Sequence, residues 1–184
     1  MAMMVCAGKA LAMGLLLLCS SVRATEADRV KVIQFAMAKC PMTTTWTAAF
    51  DEQVMHDDEM RSVIDFEQSY VGGDVGEGPV NDTNWMRCFH GPSECEGHTI
   101  MLCARNVSLP DVSAPDYRWF DMVRCMDGER GLAGVTYGMN YSIPQDGEAC
   151  ARKSGLNWDK IQQCAAGEVG QQLLHEGRDR DVDH

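Results

Sequence analysis

The chain has 184 residues, enough for one domain with a hydrophobic core and too few for a separate cofactor domain beside it. Apolar residues at 45% and aromatics at 7% fit a globular protein, and no stretch reaches the roughly 20 apolar residues of a membrane span, which sets aside disorder and a transmembrane channel. Sixteen Lys and Arg against 27 Asp and Glu give a formal charge of −11, the wrong sign for a protein that neutralises nucleic-acid phosphates.

Residues 1–24 read as a secretory signal. Lys9 precedes the apolar run Ala10 to Cys19, and Val22-Arg23-Ala24 puts small or apolar residues at the −3 and −1 sites of a cleavage after Ala24. An uncleaved anchor is the alternative, but the run is short for a span and no stop-transfer pattern follows. Cleavage removes Lys9 and Arg23 and no acid, leaving 14 basic against 27 acidic residues and a charge of −13. Three N-x-[ST] triplets, at Asn81, Asn106 and Asn140, point to an N-glycosylated secretory or lysosomal protein; unused surface Asn is the plain alternative.

Nine cysteines fall to seven once Cys6 and Cys19 leave with the signal. In an oxidising compartment six of Cys40, Cys88, Cys95, Cys103, Cys125, Cys150 and Cys164 can close three disulfides, leaving one thiol over. Which of the seven is left over stays open, and Cys40 stands apart in position and context. It follows the apolar run Val30 to Ala36, predicted as a buried strand, and opens a helical stretch through Trp46, Ala49, Phe50, Val54 and Met55, with Pro41 suited to the first helical position. Unpaired backbone N–H groups and the positive end of the helix dipole favour thiolate over thiol at such a place, and the thiolate is the species that attacks disulfides. A structural cysteine is the alternative on position alone.

Ser62 to Tyr70 alternates Ile64, Phe66 and Tyr70 against Asp65, Glu67 and Ser69, the pattern of a half-buried strand. Strand, Cys-headed helix and strand form a βαβ unit with parallel strands, the opening of a thioredoxin-like fold. The Gly-rich run 72–78 has no following Lys-Ser or Lys-Thr, fails as a phosphate loop and reads as a plain loop. Further on, Tyr117, Trp119, Phe120, Met122 and Val123 read as core, and Ile161, Val169, Leu173 and Leu174 as a later helix face.

Between these lies Cys88-Phe89-His90-Gly91-Pro92-Ser93-Glu94-Cys95-Glu96-Gly97-His98, continuing to Cys103. The run resembles the signature C-Q-H-G-x-x-E-C-x-x-N-x-x-x-x-C of the gamma-interferon-inducible lysosomal thiol reductase family. Cys88, His90, Gly91, Glu94, Cys95 and Cys103 stand at matching positions, while Phe89 replaces Gln and His98 replaces Asn. A second block, Cys150 to Leu156 followed by Trp158 to Ile161 and Cys164, resembles the family's helical cysteine insert, so that the likeness covers roughly residues 30 to 178. The resemblance implies an α/β protein with a thioredoxin-like core and a disulfide-bonded helical insertion: 25–178 as the domain, 179–184 as a charged tail. It implies a thiol-disulfide oxidoreductase acting on disulfide-bonded polypeptides with a small-molecule thiol as reductant, and no cofactor.

Two departures qualify that implication. The family carries a C-x-x-C pair at the head of the first helix, and here the segment is Cys40-Pro41-Met42-Thr43, without the resolving cysteine. Thr43 can hydrogen-bond a thiolate but cannot displace a reduced product, so Cys40 would be a lone nucleophile resolved by an external thiol. The family also continues into a cis-Pro loop and two further strands, and none is visible before His184, so the sheet is expected to be incomplete at that end.

Cys88, His90, Cys95, His98 and Cys103 offer sulfur and imidazole to zinc. The six residues between Cys88 and Cys95 are wide for a zinc pair, so no metal is expected and His90 and His98 read as supporting or surface residues. The competing function is a non-catalytic, disulfide-stapled secreted binding protein that kept the scaffold and lost the chemistry. Hydrolases recede, with no G-x-S-x-G and no H-E-x-x-H. No nucleic acid is expected as partner, and no membrane span after signal cleavage.

Overall fold

The computed structural model describes residues 29–74, 86–108, 116–128 and 145–182. The expected signal segment and the triplets at Asn81 and Asn140 lie outside them. The first strand, β1 (Val30–Ala36), has the bounds its pattern predicts. Cys40 stands at the N-cap of α1 (Pro41–Phe50), with Pro41 in the first turn, where its missing N–H leaves no bond unmade and its fixed φ suits the helix. Beyond Phe50 the predicted helix continues as one wider turn, Asp51–Met55, closed by His56 N donating to Asp51 O at 3.1 Å. Asp57 then caps α2 (Asp58–Val63), its carboxylate accepting from Glu59 N and Met60 N.

The second strand, β2 (Ile64–Tyr70), starts later than the sequence predicts because Ser62 and Val63 finish α2. It pairs parallel with β1 in unbroken register from Val30 and Ile64 to Ala36 and Tyr70. Among the described residues these two strands make up the main sheet, and β3 (Gly73–Asp74) and β4 (Met86–Arg87) form a short antiparallel pair apart from it. The rest is helical: α3 (Pro92–Ser108), α4 (Arg118–Asp127), α5 (Gly147–Lys153), α6 (Trp158–Ala165) and α7 (Glu168–Val182). This is the expected α/β arrangement, mostly helix, with a strand–helix–strand opening and three disulfides in the helical part. No described helix is long and apolar enough to cross a membrane. The charged stretch set apart as a tail continues α7 as far as Val182.

β2 is not the half-buried strand its alternation predicts: every residue from Phe66 to Tyr70 is buried. On one face the Phe66 ring lies 4.5 Å from Phe50, 5.4 Å from Phe120 and 5.7 Å from Trp119, joining α1 and α4 to the sheet. On the other, Glu67 sits between Arg105 at 3.0 Å and Lys31 at 3.5 Å, and Ser69 Oγ donates to Gly177 O at 2.9 Å. Polar residues there read as a solvent face because their partners arrive from α3 and α7, far along the chain.

The patch from Tyr117 to Val123 is core as predicted, and so are Ile161 and Leu174, but Val169 is exposed because α6 and α7 are separate helices presenting different faces. They meet α3 closely: a Cβ at Gly170 would stand 2.6 Å from Cys164 O and 2.9 Å from Thr99 Cγ2.

With only two strands in the sheet among the described residues, the backbone groups on its outer edges need partners from elsewhere. Beside β2 the Tyr117 hydroxyl meets two of them, donating to Ile64 O at 2.9 Å and accepting from Phe66 N at 3.3 Å, as the backbone of a neighbouring strand would. Tyr117→Phe therefore leaves a buried donor and acceptor without partners. It is expected to lower the unfolding free energy by about 1–3 kcal/mol, read as a lower urea midpoint at unchanged slope.

Candidate functional site

Cys40 is the free cysteine among the described residues and is half-buried. Its side chain makes no capping hydrogen bond, while its carbonyl accepts from Thr44 N at 3.1 Å to start α1. Thr43 is one turn inside the helix. Its hydroxyl accepts from Met37 N at 3.2 Å, so it braces the chain leading to Cys40 and keeps its own O–H to donate. Deeper in α1, buried Thr47 accepts from Gln34 Nε2 at 3.1 Å, and Gln34 Oε1 accepts from Gln68 Nε2 at 2.6 Å. That chain of amides fixes α1 over both strands and so fixes where Cys40 stands.

The family-like signature packs against the same turn. Cys88, Phe89 and His90 form a tight turn closed by Gly91 N donating to Cys88 O at 3.2 Å, and Gly91 has φ +89°, a left-handed conformation that excludes most side chains. From there α3 begins. Glu94 is fully buried, with Oε1 accepting from Lys39 N at 3.1 Å and from His90 Nδ1 at 2.6 Å, and Oε2 accepting from His90 N at 3.0 Å. One turn further on, His98 Nε2 accepts from Ala38 N at 3.0 Å. The two peptide N–H groups just before Cys40 thus end on two side chains of α3. Lys39 adds a third tie, Nζ to Ser93 Oγ at 2.6 Å.

Of the two readings the sequence left for His98, supporting or surface, the structure has the first: it is wholly buried, stacked on Tyr70 at 4.8 Å, with Nδ1 3.7 Å from Cys88 Sγ. Burial, helped by His90 and opposed by Glu94, lowers its pKa to about 4, so the ring is neutral at pH 7. For Glu94 burial works upward, but the hydrogen bonds from His90 and Lys39 and the nearby His98 outweigh it and hold the carboxyl below its usual range.

The six other cysteines among the described residues pair as Cys88–Cys95, Cys103–Cys164 and Cys125–Cys150. Asn106 is exposed near the end of α3. Sequence reasoning missed Ala38 and Lys39, which act through their peptide groups and carry no signal in their side chains.

The family described as Gamma interferon inducible lysosomal thiol reductase (GILT) matches residues 30–154, more than half of the chain. The chain belongs to the GILT family. The match takes in Cys40, the Glu94 and His98 turn and Cys150, and ends short of Cys164 and of residue 178, to which the resemblance was expected to run. No curated protein matches the chain.

Cys88 Sγ, a Glu94 oxygen and a His98 nitrogen lie within 4.8 Å of one another, the spacing of a metal site. The donors are already committed. Cys88 is in a disulfide, both Glu94 oxygens accept hydrogen bonds, and His98 turns one nitrogen to a peptide N–H, which leaves the proton on the other. A cation at Nδ1 would have to displace that proton while Nε2 still faced a donor.

His98 also sets a pH dependence. Its folded pKa lies below the unfolded value, so between about pH 6.5 and 4 the unfolded chain binds the extra proton and His98 draws stability down as pH falls. Buried Asp127, raised to about 7 by burial against a smaller opposing effect of Arg124, acts in the opposite direction, so the test is a difference between chains. Relative to wild type, His98→Asn is expected to gain about 3 kcal/mol in urea unfolding between pH 7 and pH 4. A constant difference across that range would show that His98 does not titrate as described.

Proposed function

We propose that this GILT-family protein reduces disulfides of polypeptides in the lysosomal or extracellular branch of the secretory pathway, with Cys40 as the only nucleophile. The reading rests on one observation: the free thiol stands at the head of α1 on a turn pinned to α3 through Ala38 and Lys39. Family membership supports thiol reductase chemistry in general. The disulfides favour an oxidising compartment, as do the expected signal and the Asn81, Asn106 and Asn140 triplets.

In this reading the Cys40 thiolate attacks one sulfur of a substrate disulfide, forming a mixed disulfide and releasing the other sulfur as a thiolate. Thr43 cannot displace the bound half. A small thiol such as cysteine or glutathione attacks the Cys40 sulfur and frees the reduced polypeptide, and a second thiol regenerates Cys40 and leaves as the oxidised dimer. Two small thiols are oxidised for each protein disulfide reduced. Met42, 70% exposed beside Cys40, offers a polypeptide an apolar contact.

The competing reading, a binding protein on the same scaffold, draws on Thr43, whose hydroxyl is built into the turn as a structural acceptor. Reduction of insulin in the presence of free cysteine separates the two. Wild type is expected to accelerate the reaction, with a rate that rises with cysteine concentration, and Cys40→Ser to abolish the acceleration. Thr43→Cys is expected to reduce one equivalent of substrate disulfide without added thiol. No acceleration by wild type, together with a Cys40 inert to alkylation, would leave the binding protein standing.

A further inference from the structure

The Cys88–Cys95 disulfide lies outside the chemistry assigned to Cys40, and its surroundings differ from those of the other two. His98 is 0% exposed, and its Nε2 accepts the Ala38 N–H, so the proton of the neutral ring is on Nδ1, pointing at Cys88 Sγ from 3.7 Å. A disulfide sulfur is a weak acceptor and a thiolate a strong one, so this N–H favours the reduced state over the oxidised one. Among the described residues, neither other disulfide receives a side-chain hydrogen bond.

Two further features point the same way. Cys95 lies in the first turn of the 17-residue helix α3 and is partly exposed, whereas Cys88 is 7% exposed, so a thiol arriving from solvent meets Cys95 and expels Cys88. The bridge also joins residues only 7 apart, against 61 and 25 for the others, so it constrains the unfolded chain least and opening it costs the fold the least stability. Cys103–Cys164 and the Glu94 bonds still hold α3 in place when it is open.

We infer that Cys88–Cys95 is a redox-active disulfide, opened reversibly in the folded protein by small-molecule thiols, with His98 positioned to receive the departing Cys88 thiolate. A thiolate attacks Cys95 Sγ, forming a mixed disulfide as the Cys88–Cys95 bond breaks and its electron pair stays on Cys88. A second thiol attacks the incoming sulfur and leaves as the oxidised dimer, freeing Cys95. The pair is reduced to two thiols and two small thiols are oxidised to one disulfide. The inference does not require activity at Cys40, and its test uses the Cys40→Ser chain.

That chain is equilibrated at pH 7 in graded mixtures of reduced and oxidised glutathione, quenched in acid, alkylated before and after full reduction and mapped by mass. Cys88–Cys95 is expected to open in mixtures that leave Cys103–Cys164 and Cys125–Cys150 closed and the far-UV circular dichroism unchanged. Adding His98→Leu is expected to lower its equilibrium constant for reduction by about fivefold or more, and adding His98→Asn, which keeps an N–H donor, to stay within about twofold. Opening of all three bridges together, only as the helical signal is lost, would overturn the inference and make the bridge purely structural. Equal constants in the wild-type, Leu and Asn backgrounds would overturn the role of His98. Should the Leu chain not fold, the order of opening in the Cys40→Ser chain decides the matter.

Discussion

Everything near Cys40 depends on where two peptide N–H groups find their acceptors. A strand that ends and turns into a helix leaves the N–H groups of the turn without partners, and buried ones must be satisfied. Ala38 and Lys39 give theirs to His98 and Glu94, both wholly buried on α3. Glu94 can stay ionised in the interior only because His90 supplies a ring N–H and a peptide N–H to it as well. The arrangement binds the βαβ opening to the helical remainder, so a short motif more than 50 residues beyond Cys40 holds its turn in place.

Much of this was legible in the sequence. β1 and the start of α1 at Pro41 followed from an apolar run and a proline, both local signals, and the signature named Cys88, His90, Gly91, Glu94, Cys95 and Cys103 before any geometry was known. What failed was non-local. Glu67 and Ser69 looked solvent-facing because alternation cannot reveal an arginine on α3 or a carbonyl on α7. His98 could not be told apart as a supporting or a surface residue because its acceptor role is to a peptide group 60 positions away. The parity of the cysteines required one left over and position pointed to Cys40, yet no spacing rule could choose among the pairings of the other six.

Thr43 shows what the fold makes of a side chain that cannot form a disulfide. In a C-x-x-C turn the second cysteine does its work by moving between thiol and disulfide. The hydroxyl here does the opposite, accepting Met37 N–H and tightening the turn. A reductase cycle run by Cys40 alone would therefore take its resolving thiol from solution, and its rate would follow the thiol content of the compartment.

The disulfides also have a topology. Cys103–Cys164 closes a long loop, and Cys125–Cys150 closes a shorter one wholly inside it. A chain cut once anywhere between residues 103 and 164 remains a single covalent molecule, because at least the outer bridge spans the cut. A cut between 125 and 150 is spanned twice. The helical half is thus wired like a circuit with a redundant return path, and a protease would need two well-placed cuts or a reductant before it could carry a fragment away.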